Sequence, residues 1–201
     1  MKLCVYCGTF NPIHNAHIQV ARYIKEHYNF DKIIFIPAYK PPHKDTALSE
    51  HRFNMVKLAI QNIDGFEISD IEYKSEENSY TFNTLTKLYE IYPNIEGKIN
   101  FIIGTDAFRN IKSWYNTDGL KQQAKFIVFK RETEFDSHDF DILKDDGYDF
   151  EFAQKPFEDI SSTNLRECVK EGKSIKDLVP EAVYNYIKKN GLYKNENNRR
   201  N

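Results

Sequence analysis

The first apolar run of the chain leads into CGTFNPIHNAH (7–17), where two histidines, His14 and His17, stand three apart. A strand handing over to a helix can use the glycine and the proline here, but it needs neither imidazole. Gly8 removes the Cβ where the chain leaves the sheet, so backbone can approach a ligand closely. Asn11-Pro12 makes a turn, and a helix opening at about Asn15 exposes unpaired N–H groups and the positive end of its dipole. Two imidazoles at that first turn can share one face. Three chemistries fit: His14 as a helix cap with His17 buried, a phosphate cradle without a lysine, or a metal pair that lacks a third ligand and the usual i, i+4 spacing.

Other residues carry similar choices. ISSTNLR (160–166) places Ser161 and Ser162 at a helix start with Arg166 one turn on, which suits an N-cap with a surface arginine or a second anion cradle. Asp106 follows a strand ending in Gly104, where an acid can accept from ribose hydroxyls or cap the next helix. His43 and Lys44 lie on a Pro-rich loop that could close over phosphates or stay an ordinary surface loop. Trp114, the single tryptophan, sits beside Tyr115 and is either core or a flat surface for ring stacking. Cys4 and Cys7 form a C-x-x-C, but residues three apart in a strand face opposite ways, so the pair cannot jointly hold a metal. G-x-G-x-x-G is absent, and the GKS at 172–174 lacks both the leading glycine and the preceding strand of a Walker loop.

The elements that position these residues alternate. Apolar runs predict strands over 2–7, 32–37, 98–104 and 124–130, and FEIS (66–69) reads as a short strand. Helical spacing covers 15–28, with Ile18, Ala21, Ile24 and Tyr28 on one face. It recurs over 48–60, with Leu48, Met55, Val56, Ala59 and Ile60 buried, and over 81–92. Two further helices follow, one from the Ser161 region and one between Pro180 and Gly191. Residues 132–151 are acid-rich and read as a solvated connection. Such alternation predicts a Rossmann-like α/β fold, a mostly parallel sheet with helices on both faces and a small C-terminal helical part. Residues 1–193 form one domain in this reading, with 194–201 a polar flexible tail. The candidate residues then gather at the carboxyl ends of strands, where such sheets bind ligands.

Bulk properties agree. The chain has 201 residues, 40% hydrophobic and 29% charged, with a formal net charge of −2. That balance supports a real core and argues against a nucleic-acid or membrane partner. Three cysteines fit a reducing compartment. With no apolar h-region at its start and no run long enough to span a bilayer, the chain is expected to be cytoplasmic.

GTFNPIHNAH resembles the T/H-x-G-H segment of the nucleotidyltransferase superfamily, in the form found in bacterial nicotinate-nucleotide adenylyltransferases. PPHK (41–44), HRFNMVKLAI (51–60), SYTFNTL (79–85), FIIGTDAF (101–108), KSWY (112–115), FIVFKR (126–131), ISSTNLR (160–166) and YIKKNGLY (186–193) are similar to that family in the same order. Asn11 stands where the family usually has Asp, and Ala16 where it has Gly.

The resemblance implies adenylyl transfer from ATP to nicotinate mononucleotide in NAD biosynthesis, giving deamido-NAD and pyrophosphate, with Mg²⁺ carried on ATP. It assigns catalysis to His14, His17 and Arg166. ATP would lie on Gly8, Thr9, Phe10, His14, His17, Gly104, Asp106, Lys130, Arg131, Ser161, Ser162 and Arg166. Nicotinate mononucleotide would lie on His43, Lys44, Tyr80, Thr81, Trp114 and Tyr115. No resident metal site is implied, and a homo-oligomer is left open. The alternatives are the same transfer onto nicotinamide mononucleotide, or a nucleotide sensor on this fold without catalysis.

Overall fold

The structure, a computed structural model, describes residues 2–42, 46–74, 78–130, 136–154 and 160–194. His43, Lys44, Arg131 and the tail from 195 lie outside the described residues. Six strands, β1 (Cys4–Gly8), β2 (Ile33–Pro37), β3 (Phe66–Ile68), β4 (Ile99–Gly104), β5 (Ala124–Phe129) and β6 (Phe150–Phe152), form one parallel sheet in the order β3-β2-β1-β4-β5-β6. Chain direction across the sheet reverses between β1 and β4, which opens a crevice at their carboxyl ends. Gly8 pairs with Pro37 and Gly104 with Phe129, and β1 and β4 are in register, so four of the predicted loops leave the sheet at one level.

The four central strands are apolar on both sides, as a sheet covered on both faces requires. Cys4, Tyr6, Ile33, Phe35, Ile102 and Ile127 point to one core. Helices α1 (Asn15–His27), α2 (Ser49–Ile60), α7 (Ser162–Lys170) and α8 (Glu181–Lys189) cover it. Val5, Ile34, Ile36, Phe101, Ile103 and Phe126 point to the other. Helices α3 (Thr81–Ile91), α4 (Thr105–Arg109) and α5 (Thr117–Gln123) close that side. Cys4 joins the first core and Cys7 packs on the second, the opposed facing that separates the two thiols.

Two expectations need correction. The acid-rich stretch is not merely a solvated connection: Phe140, Leu143 and Tyr148 are buried, a short helix α6 (Asp141–Asp145) forms, and β6 adds an edge to the sheet. Phe108 stacks on Phe140 at 5.9 Å, so three apolar residues among many acids suffice to anchor the segment. Leu48 is not buried; it is the N-cap of α2 and 40% exposed. Its place in the buried stripe is taken by a charge, Arg52, which is 1% exposed.

Candidate active site

The crevice between β1 and β4 opens into a cavity of about 840 Å³. The β1–α1 turn forms its floor. Phe10 adopts a left-handed backbone (φ 47°) and is buried, its ring edge-on to Tyr6 at 5.5 Å and to His17 at 5.2 Å. A Cβ on Gly8 would come within 2.9 Å of the Phe10 ring, so the glycine makes room for that fold-back. A bulky residue at positive φ is strained and persists only where its surroundings hold it, and such positions gather at functional sites. The Asn11-Pro12 peptide is cis.

His14 is the N-cap of α1, and its backbone N–H donates to His17 Nδ1 at 3.2 Å. With Nδ1 accepting, the neutral His17 ring carries its proton on Nε2 and presents it as a donor. The two rings stack with centroids 3.6 Å apart. His17 lines the cavity, whereas His14 is 1% exposed and stands behind it, outside the lining. His14 therefore takes the cap position, and His17 is the member of the pair that faces the cavity.

Across the floor, Ser161 is the N-cap of α7 and its hydroxyl makes no capping bond. Ser162 Oγ instead donates to Pro12 O at 2.9 Å, and Arg166 Nη1 donates to Asn11 O at 2.9 Å. Arg166 Nη2 reaches Thr163 Oγ1 at 3.2 Å. Helix α7 is thus laced to the β1–α1 turn, and its N-terminus faces the same space as His17 of α1. The N-termini of α3 (Tyr80, Thr81) and α4 (Gly104, Asp106) reach the same cavity. The three N-termini of α3, α4 and α7 converge on it and make a field that favours anions.

Aromatic rings line another part of the cavity. Trp114 packs edge-on to Phe101 at 6.3 Å, and Tyr115 lies 4.9 Å from Tyr80. All of these but Phe101's partner role were legible as candidates. Gly8, Thr9, Phe10, His17, Tyr80, Thr81, Gly104, Asp106, Trp114, Tyr115, Ser161, Ser162 and Arg166 all line the cavity. Lys130, which follows β5, is outside that lining.

Sequence reasoning missed three residues. Arg52 on α2 donates to the carbonyls of Thr9, Ala38, Tyr39 and Ala47. Burial lowers its pKa, and the carbonyls supply the hydrogen bonds a buried cation needs. Glu72, 7% exposed and in the lining, accepts from Tyr39 N–H at 3.1 Å and from Thr84 Oγ1 at 2.7 Å. Tyr193, beyond α8, donates from its hydroxyl to Asn11 Oδ1 at 2.8 Å. The one available signal was Arg52, a charge within the apolar stripe of α2.

Among the described residues no group of three or more His, Cys, Asp and Glu is placed to hold a metal ion. A cation carried in on phosphates needs few protein ligands, so this donor-rich, carboxylate-poor set suits a substrate-borne ion.

Residues 5–168 match the cytidylyltransferase-like family model. Over 200 residues the chain is 42% identical to the probable nicotinate-nucleotide adenylyltransferase of Clostridium tetani, covering 96% of this chain and 99% of that protein. The chain belongs to this family. Two solved structures of the Plasmodium falciparum nicotinic acid mononucleotide adenylyltransferase share the fold, each spanning 96% of this chain. One, complexed with NaAD, has a TM-score of 0.79 at 23% identity over 97% of its length. The other, complexed with APC, has a TM-score of 0.77 at 26% identity over 96% of its length. The departures at Asn11 and Ala16 leave the local architecture intact: Asn11 Oδ1 and its carbonyl are both engaged, and Ala16 is buried in the first turn of α1.

Proposed function

We propose that this chain, through one domain spanning 1–193, transfers the adenylyl group of ATP to nicotinate mononucleotide, releasing pyrophosphate and forming deamido-NAD. One observation carries the reading: three helix N-termini, His17 and Arg166 converge on a cavity that also holds the Trp114–Tyr115–Tyr80 aromatic group. The curated relative's name points the same way.

In this reading the mononucleotide phosphate attacks the α-phosphorus of ATP in line. It is already ionised near neutral pH, so the step needs no general base and no covalent intermediate. Positioning and charge stabilisation remain for the protein to supply. His17 donates from Nε2 to the α-phosphate oxygens as charge builds there, and its tautomer is fixed by the His14 N–H. His14 holds the His17 ring in place by stacking and through its own N–H. Thr9 adds donors from the same turn. Arg166, Ser161 and Ser162 bind the leaving pyrophosphate. Gly104 and Asp106 take the adenosine half, Asp106 accepting from ribose hydroxyls.

Trp114 and Tyr115 stack on the pyridine ring, and the first-turn N–H groups of α3 from Thr81 on, beside Tyr80, take its carboxylate, which favours the acid over the amide. Mg²⁺ enters as part of the ATP substrate. The test is pyrophosphate release by the purified protein with ATP and Mg²⁺, comparing nicotinate with nicotinamide mononucleotide. Release chiefly with the acid is expected. Release chiefly with the amide would overturn the carboxylate site, and none with either would overturn the reaction.

A further inference from the structure

Two buried opposite charges grip the same residue from its two sides. Tyr39, just past β2, donates its N–H to Glu72 Oε2 at 3.1 Å and accepts at its carbonyl from Arg52 Nη2 at 3.0 Å. Neither charge has a part in the transfer step described above. Each is tied onward to a different half of the cavity. Arg52 Nη1 donates to Thr9 O at 3.0 Å, in the turn that carries His14 and His17. Glu72 Oε1 accepts from Thr84 Oγ1 at 2.7 Å, in the first turns of α3, whose N-terminus faces the cavity.

The next residue reinforces the second link. Lys40 N–H donates to Ser79 Oγ at 3.0 Å, and Ser79 N–H returns to Lys40 O at 3.0 Å. The first link is reinforced by Ala38 N–H donating to Gly8 O at 2.9 Å. A continuous chain of hydrogen bonds therefore runs from Thr9 through Arg52, Tyr39 and Glu72 to Thr84. It crosses from the phosphate end of the site to the Tyr80–Thr81 end.

Burying charges is costly, and a stretch like this could be tied by neutral groups if stability were all it supplied. What charges add is stiffness: charge-assisted bonds are short and directional, and the guanidinium fork fixes several carbonyls at once. In-line transfer depends on the distance between the two substrates more than on the affinity for either.

We infer that Arg52 and Glu72 are positioning residues which, through the Tyr39 peptide, set the spacing between the nucleotide half and the mononucleotide half of the site and couple them. The inference rests on the proposed reaction for its kinetic readout. It also predicts a change that ATP alone produces.

The experiment compares the parent with Arg52→Lys, Glu72→Gln, the double variant and Thr84→Val. Arg52→Lys keeps the charge and loses the fork, while Glu72→Gln keeps the shape and loses the charge. The expected result is kcat lower by about a hundredfold in each charge variant, with separately measured Kd values for ATP and for the mononucleotide within about threefold of the parent. The double variant falls little further than the worse single, because both cut one chain. Thr84→Val, which removes one bond and no charge, falls less and covers the case in which a charge variant does not fold.

In hydrogen exchange, ATP slows the amides of residues 79–84 in the parent and not in Glu72→Gln or Thr84→Val. Parent-like kcat in a folded charge variant, or ATP protection of 79–84 that is absent in the parent or unchanged in the variants, overturns the inference. A parent that releases no pyrophosphate overturns the proposed reaction instead, and the exchange result still decides the coupling.

Discussion

His14 and His17 lie ring on ring at 3.6 Å, and the backbone N–H of the first donates to Nδ1 of the second. The spacing of three residues sets one imidazole behind the other. One histidine fixes the tautomer and plane of the other, and the fixed one lines the cavity.

His17→Ala is therefore expected to lower kcat by at least about a hundredfold, the usual loss for one preorganised donor to a developing charge. Steady-state pyrophosphate release on a folded variant checks this. A kcat near that of the parent would remove His17 from the mechanism.

Asn11 makes a different prediction. Its Oδ1 accepts from Tyr193 Oη at 2.8 Å and from Ala47 N–H at 3.4 Å, and aspartate offers the same acceptor. Asn11→Asp should keep kcat within about threefold and leave the unfolding midpoint unchanged or raised, since the Tyr193 bond becomes charge-assisted. Tyr193→Phe should cost about 1 kcal/mol of stability, the net worth of one such bond. A tenfold or greater fall in kcat for Asn11→Asp would show that the missing charge, not the hydrogen bond, is what this position supplies.

Trp114→Ala should separate the two substrates. The lost ring stacking raises KM for the mononucleotide by about tenfold, with KM for ATP little changed. Equal effects on both would assign Trp114 to packing against Phe101 alone.

Stability should fall in alkali. Burial pushes the Cys4 thiol above its ordinary 9.0, and burial, helped by Glu72 and Cys4, does the same to Cys7. Burial also raises Tyr73 from 10.0 to about 12 and raises Tyr193. In the unfolded chain these groups release protons first. As pH climbs above about 9 the unfolded state binds fewer protons than the folded one, and stability decreases; below that pH their contribution is complete. Urea midpoints at about pH 7.5, 9 and 10.5 should drop in that order. A midpoint that held or rose would contradict the buried, protonated placement.

Much of this arrangement was legible. Four strands announced themselves as apolar runs because a sheet covered on both faces leaves no polar alternation to confuse with a loop, and the short FEIS stretch supplied the fifth. Thirteen of the candidate residues reach one cavity because a parallel sheet gathers its carboxyl-end loops at the switch point. The misses have physical causes. β6 has three residues, too few for a period, and its supports Phe140, Leu143 and Tyr148 are dispersed among acids that carry no helical pattern. Glu72 resembled an ordinary solvated charge, and the partners of Arg52 and Glu72 are mostly backbone groups that only the tertiary fold brings near. Leu48 and Arg52 are four apart on one side of α2, and the chain buries the charged one.

The most direct measurement follows the label from ATP carrying labelled α-phosphorus, incubated with the purified protein, Mg²⁺ and nicotinate mononucleotide. The account predicts label in a product with the mass of deamido-NAD, with much less formed from nicotinamide mononucleotide. Bound ATP with no labelled dinucleotide from either acceptor would contradict it.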